Sequence, residues 1–289
     1  MRRYTLLIAV GLVMQGGLSL AETVPAERFR PVARTAHAVY FATGGQGVDV
    51  RRSEAYIGQL VSLFGPAPAG SRIEYYRHAS ATALRDRVGF EASGVTDPGA
   101  GRVDSVRAFH PHELVHAVAG RLGRPPVFFA EGLAVALTSA GRWHGRDLDA
   151  VAREALTAGP SLEPFLTRFT EQDPDTAYAV AGSLAAYLLD RFGIEPMVAF
   201  FRGCGSSPEG YESAFRRAYG RTVARATLDW EQALAGQATT ASREWYDPAG
   251  WPGSLQRGGE TLEASARPAP PTFTRPEYLA DAVSTPTLH

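Results

Sequence analysis

Residues 110–116 read His-Pro-His-Glu-Leu-Val-His, which sets two imidazoles and a carboxylate inside an otherwise apolar segment. Leu114, Val115, Ala117 and Val118 suit a buried helix, where unpaired charge is costly, so any fold of this chain must satisfy His112, Glu113 and His116 in its interior. Four residues apart on a helix, His112 and His116 lie one turn above each other and can bind a single Zn²⁺, while Glu113 can reach a water on that metal. By ordinary residue usage H-E-x-x-H turns up in roughly one in a hundred unrelated chains of this length. A zinc held by two histidines also needs a third protein donor.

After a break over residues 120–126, a second apolar segment, 127–137, carries one carboxylate in its midst, Glu131. Fourteen residues separate it from His116, enough to finish one helix, turn at Arg124-Pro125-Pro126 and start a second. Glu131 is therefore the candidate third ligand. The plainer alternative is a glutamate near a helix start, favoured by the positive end of the dipole.

His112-Glu113-x-x-His116 together with Phe128-Phe129-Ala130-Glu131-Gly132-Leu133-Ala134 resembles the gluzincin metallopeptidases, specifically the compact bacterial peptidase MA-like group related to gluzincin aminopeptidases and thermolysin. The resemblance implies a zincin-like catalytic domain with His112, His116 and Glu131 on zinc and Glu113 as general base. Residues 176–193 resemble the family's long helix ending in an aromatic and a glycine, and residues 214–220 leading to Trp230 resemble its closing helices. The likeness covers about residues 31–236 and is most specific over 110–134. Two departures stand out. Thermolysin-like enzymes carry an aspartate four residues after the ligand glutamate, where this chain has Val135, and the aminopeptidases' G-x-M-x-N strand motif is missing from residues 101–109.

Two neutral imidazoles and a carboxylate would leave a zinc ion with residual positive charge and an open position for water, which it acidifies toward neutral pH. Glu113 would take a proton from that water and return it to a leaving amine, so hydrolysis of peptide bonds, endopeptidase-like, fits best. Tyr178, at the start of the family-like helix, is the candidate oxyanion donor, with Tyr187 a weaker one; the plain reading of Tyr178 is a packing aromatic. Pro111 suits a first helical position, which leaves His110 outside the helix in a supporting or substrate-facing role. Asp104 and His110 are the fallback ligands should Glu131 fail. His37, His78, His144 and His289 have no partners legible in sequence and default to structural or solvated roles. The reading from a different class is a catalytically silent, zinc-containing domain that binds peptide or polysaccharide in the cell envelope; Glu113, which such a domain would not need, favours activity. A serine hydrolase is poorly supported, because no G-x-S-x-G occurs.

Residues 1–21 combine a basic start, a short apolar run and a small-residue exit, the pattern of a secretory signal peptide, which places the mature chain in the periplasm or outside the cell with no stable membrane insertion. Cys204 is the single cysteine, so no intrachain disulfide can form and stability must come from the core. Losing Arg2 and Arg3 with such a leader takes the formal charge from −1 to −3, which gives no reason to expect nucleic acid as a partner; a peptide or protein substrate is expected instead. All 29 basic residues are arginine, and neither lysine nor asparagine occurs, which excludes Schiff-base lysines, a Walker lysine and a Cys-His-Asn triad. Oligomeric state is not legible.

The expected fold is α+β, a small N-terminal β-sheet lobe followed by a mainly helical lobe, with the zinc helix at the junction. Alternation predicts strands over residues 36–42, 73–76 and 103–109; helical spacing predicts helices over 51–64 and 79–88, and a turn falls at 97–101. From Pro111 the pattern is helical nearly to Gly236. Residues 22–30 read as a linker, 31–236 as the metallopeptidase domain and 237–289 as a Pro-rich tail, disordered or wrapped on the surface.

Overall fold

A computed structural model describes residues 28–66, 71–158, 161–205 and 210–236; the leader, residues 22–27 of the linker, the tail and His289 lie outside the described residues. Among those described, helices and a small sheet are mixed in a way compatible with the α+β class. They fall into two compact units, one ending at Leu122 and the other beginning at Gly123. No helix among them is long and apolar enough to cross a membrane.

The first unit contains β1 (Arg30–Arg34), β2 (Ala38–Ala42), α1 (Val50–Phe64), β3 (Ile73–Arg77), α2 (Ala81–Val88), β4 (Gly94–Asp97), β5 (Arg102–Ser105) and α3 (Pro111–Ala119). The sheet order is β1-β2-β3-β5-β4. β2, β3 and β5 run parallel, which requires long crossovers, and α1 and α2 lie in them; β1 and β4 pair antiparallel at the two edges. The helix boundaries follow local chemistry. Asp49 accepts from the Arg52 N–H to start α1, Ser80 does the same for Ala83 at α2, and Gly89, with φ of 89°, closes α2 in the left-handed region. Ala38, Tyr40, Ile73, Tyr75 and Val103 on the sheet and Ile57 and Leu60 on α1 are all fully buried and make up its core.

The two edge strands are not anticipated by alternation. β1 is exposed along nearly its whole length and its register slips between Pro31 and Ala33, so no period of two survives. β4 is four residues long and opens on glycine. The strand predicted over 103–109 is shorter, ending at Ser105, because the Ser105 hydroxyl accepts the Arg107 N–H at 2.9 Å and turns the chain out of the ladder.

The second unit contains α4 (Val127–Thr138), the hairpin β6 (Arg142–Trp143) and β7 (Arg146–Asp147), then α5 (Leu148–Ala158), α6 (Glu163–Thr167), α7 (Pro174–Phe192), α8 (Ile194–Cys204), α9 (Tyr211–Tyr219) and α10 (Val223–Gly236). The hairpin interrupts the helical pattern expected from sequence. Its two central residues, His144 and Gly145, have φ of 48° and 77°, as a type I′ turn requires, and a histidine in that position gives little sequence signal. Phe129, Phe200, Phe215 and Tyr219 pack ring on ring at centroid distances of 4.9 Å (129–200), 5.3 Å (200–215) and 4.4 Å (215–219).

A buried polar chain joins three of these helices. The Trp230 indole donates to the Ser183 hydroxyl at 3.0 Å, and Ser183 donates to the buried Asp149 carboxylate at 2.5 Å. Ser183→Ala takes away the acceptor of a fully buried indole N–H, at a cost of about 1–3 kcal/mol. We expect its thermal unfolding midpoint, followed by calorimetry, to fall by several degrees.

Candidate metal centre

α3 begins at Pro111, whose missing N–H costs nothing at a first helical position, with His110 as the residue just outside. The helix turns Leu114, Val115, Ala117 and Val118 inward, all buried, and carries His112 and His116 at half-buried positions. Their rings meet edge to face at 77° with Nε2 atoms 3.1 Å apart. Two nitrogens each about 2.0–2.1 Å from one tetrahedral zinc would stand about 3.3 Å apart, so the pair is already set close to a chelating geometry.

Glu113 is buried, only 7% exposed, and its carboxylate is held from β4. The Thr96 hydroxyl lies 2.7 Å from Oε2 as donor and 3.0 Å from the main-chain oxygen of the same glutamate. Two residues earlier on that strand, Gly94 faces Glu113 and His110: a Cβ there would come within 2.7 Å of Glu113 Cγ and would run into the His110 ring. Tyr75, on β3, is buried and donates to the Arg107 carbonyl at 2.7 Å. Burial pushes its phenol well up, and the Glu113 charge adds to the rise, so it stays protonated.

His110 is buried, its Nδ1 2.9 Å from the Ser105 hydroxyl. Burial holds its pKa well below the ordinary value, with the nearby Arg107, His112 and His116 acting in the same direction, so the ring is neutral. Its ring makes no capping bond to α3. Asp104 is occupied elsewhere. Arg102 binds it through two nitrogens at 2.6 and 2.8 Å, and the buried His78 meets it at 2.8 Å. Burial alone would raise the Asp104 pKa, but the Arg102 and His78 hydrogen bonds outweigh it and keep the carboxyl below its usual value. As a fallback ligand it is therefore poorly placed. His37 pairs with Glu54 at 2.8 Å and the exposed His144 with Asp175 at 3.1 Å, in keeping with structural or solvated roles.

In the second unit, α4 is apolar on nearly every side, and Glu131 is buried in it with 7% exposure. α4 and α7 pack closely through two glycines. A Cβ on Gly132 would meet the Ala181 carbonyl oxygen at 2.5 Å, and one on Gly182 would strike the side chain of Val135. Val135 is buried against α7, where a valine fills the notch over Gly182 and an aspartate would bury a charge.

Tyr178, in the first third of α7, is buried, stacked on Trp143 at 5.8 Å and tilted against Phe169 at 5.3 Å. The hairpin that the sequence pattern misses thus sets the wall against this ring. Tyr187 lies half-buried further along the helix. His112, His116 and Glu131 each offer one ligand atom to a metal ion. Motif reading misses Thr96 and Gly94, which meet Glu113 from β4, because their local sequence carries no signal for that contact. No protein-family model matches the chain, and no curated protein matches it either.

Proposed function

We propose that the chain is an exported zinc-dependent peptidase of gluzincin type with a zincin-like catalytic domain. His112, His116 and Glu131 would hold the metal, Glu113 would serve as general base and Tyr178 as oxyanion donor. The observation that carries this reading is the pair of imidazole nitrogens 3.1 Å apart on α3, beside a buried carboxylate held by Thr96. Two imidazoles and one carboxylate form a group that could hold an ion, and this donor set suits zinc in a catalytic rather than a closed structural site.

When bound, zinc supplies Lewis acidity and an acidified water. The protein's own groups do the rest. Glu113 is anchored through one oxygen, which leaves the other to accept a proton and later deliver it to a leaving amine. The apolar face of α3 excludes bulk water around it, which strengthens every charge interaction nearby. Tyr178, clamped between Trp143 and Phe169, would present its hydroxyl without having to be ordered during the reaction.

The test is metal analysis combined with a peptide library. Purified mature protein is expected to contain about one zinc per chain and to cleave library peptides. Glu113→Gln is expected to keep the zinc and lose at least ~10²-fold in rate. Zinc without cleavage by the wild type would replace the enzyme with a zinc-containing binding domain, and failure to bind zinc at all would remove the site assignment.

A further inference from the structure

We infer that Thr96 is a positioning residue for Glu113, and that Gly94, two residues earlier on β4, is the gap that lets the carboxylate side chain reach it. The inference rests on the reading of Glu113 as general base. A glutamate side chain has three rotatable bonds, and a base free to turn about them would spend much of its time misaligned. Burial alone does not fix it, because a buried carboxylate needs donors and takes whichever orientation finds them. Here a hydroxyl donor lies 2.7 Å from Oε2, on a strand whose ladder to β5 pairs Thr96 with Val103 and Gly94 with Ser105. The donor is therefore on a regular element rather than a loop.

The same hydroxyl lies 3.0 Å from the main-chain oxygen of Glu113. The hydroxyl has a single proton to give, and the carboxylate oxygen is the nearer acceptor, with the main-chain oxygen close enough to share it. Gly94 makes the approach possible, because any Cβ there would overlap Glu113 Cγ and the His110 ring. A side chain at position 94 would push β4 off the helix and carry Thr96 out of reach. Of the two carboxylate oxygens, Oε2 is claimed by the strand, and Oε1 is left as the proton acceptor.

The experiment is a double-mutant cycle on the full mature chain, read by thermal unfolding and by peptide cleavage. Thr96→Val keeps the side-chain shape and removes the hydroxyl. It is expected to lower the unfolding midpoint by about 2–4 °C when Glu113 is present and by clearly less in a Glu113→Ala background, because the donor then has no carboxylate to hold. Equal losses in both backgrounds would overturn the proposal, since a hydroxyl serving only the helix backbone would give that result. Should Thr96→Val fail to fold, Thr96→Ala, which cannot overfill the site, is read in the same way. In cleavage assays Thr96→Val is expected to lower kcat by about 10–100-fold with KM little changed, and Thr96→Ser to restore it. If the wild type cleaves no peptide, the enzymatic reading fails, while the unfolding cycle still decides whether Thr96 holds Glu113.

Discussion

Glu131→Ala protein is expected to fold, to keep its helical signal and to lose its zinc. Glu131 lies in α4 among Phe128, Phe129, Leu133 and Ala134, all buried, so alanine is at home there: it is the best helix former and adds no polar atom to the interior. The loss should fall on the metal. Removing a hydrogen-bonding partner of a zinc ligand typically costs ~10–100-fold in affinity, and removing a ligand itself should exceed that. His112→Ala should do the same from the other side of the donor set, whereas Glu113→Gln should not, because Glu113 is proposed to touch water rather than metal. Measured zinc content after dialysis against a chelator separates these outcomes. Normal zinc in Glu131→Ala would move the third ligand elsewhere. Asp104 is a poor substitute because Arg102 and His78 already bind it.

How much of this is legible in the sequence depends on the range of the interaction concerned. α1, α2 and α3 are set by local signals, namely Asp49, Ser80 and Pro111 at their starts and Gly65, Gly89 and Gly120 at their ends, and the sequence pattern locates them to within a residue or two. The histidine pair is equally local, since a spacing of four on a helix determines it. β1 and β4 are legible only through their partners. Each is short and lies at a sheet edge, and neither alternates, so pairing rather than propensity makes it a strand. Thr96 shares that limit: nothing in Gly94-Val95-Thr96-Asp97 announces a donor to a carboxylate seventeen residues later. The hairpin of β6 and β7 is hidden because His144-Gly145 stands where Asn-Gly or Asp-Gly would mark a type I′ turn. The stacking of Trp143 on Tyr178 is hidden with it. That residue 135 is a valine is visible in sequence, but the notch over Gly182 that it fills exists only once α4 and α7 have packed.

That packing supplies the largest expected effect on stability, and its sign depends on space rather than on residue type. Gly→Ala in a helix interior gains about 1 kcal/mol of propensity wherever the new methyl has room. Gly58, in α1, has nothing within 4 Å of the point where a Cβ would stand, so Gly58→Ala is expected to raise the thermal midpoint. Gly132→Ala meets the opposite condition. Its Cβ would lie 2.5 Å from the Ala181 carbonyl oxygen and 2.9 Å from the carbon behind it, both main-chain atoms of α7 that cannot rotate away. The two helices would have to separate by several tenths of an ångström, and overpacking of this kind costs about 1–3 kcal/mol or more, which exceeds the propensity gain. Because residue 132 follows the proposed ligand directly, Gly132→Ala should reduce zinc retention as well as the unfolding midpoint. Gly182→Ala differs in one respect: its obstacle is the side chain of Val135, so Val135→Ala in the same chain should recover part of the loss. No such remedy applies to Gly132, where the obstacle is backbone. Unfolding midpoints of Gly58→Ala, Gly132→Ala, Gly182→Ala and the Gly182→Ala/Val135→Ala pair test the whole pattern. A stabilised Gly132→Ala would mean that α4 and α7 leave room for a methyl between Gly132 and the Ala181 carbonyl.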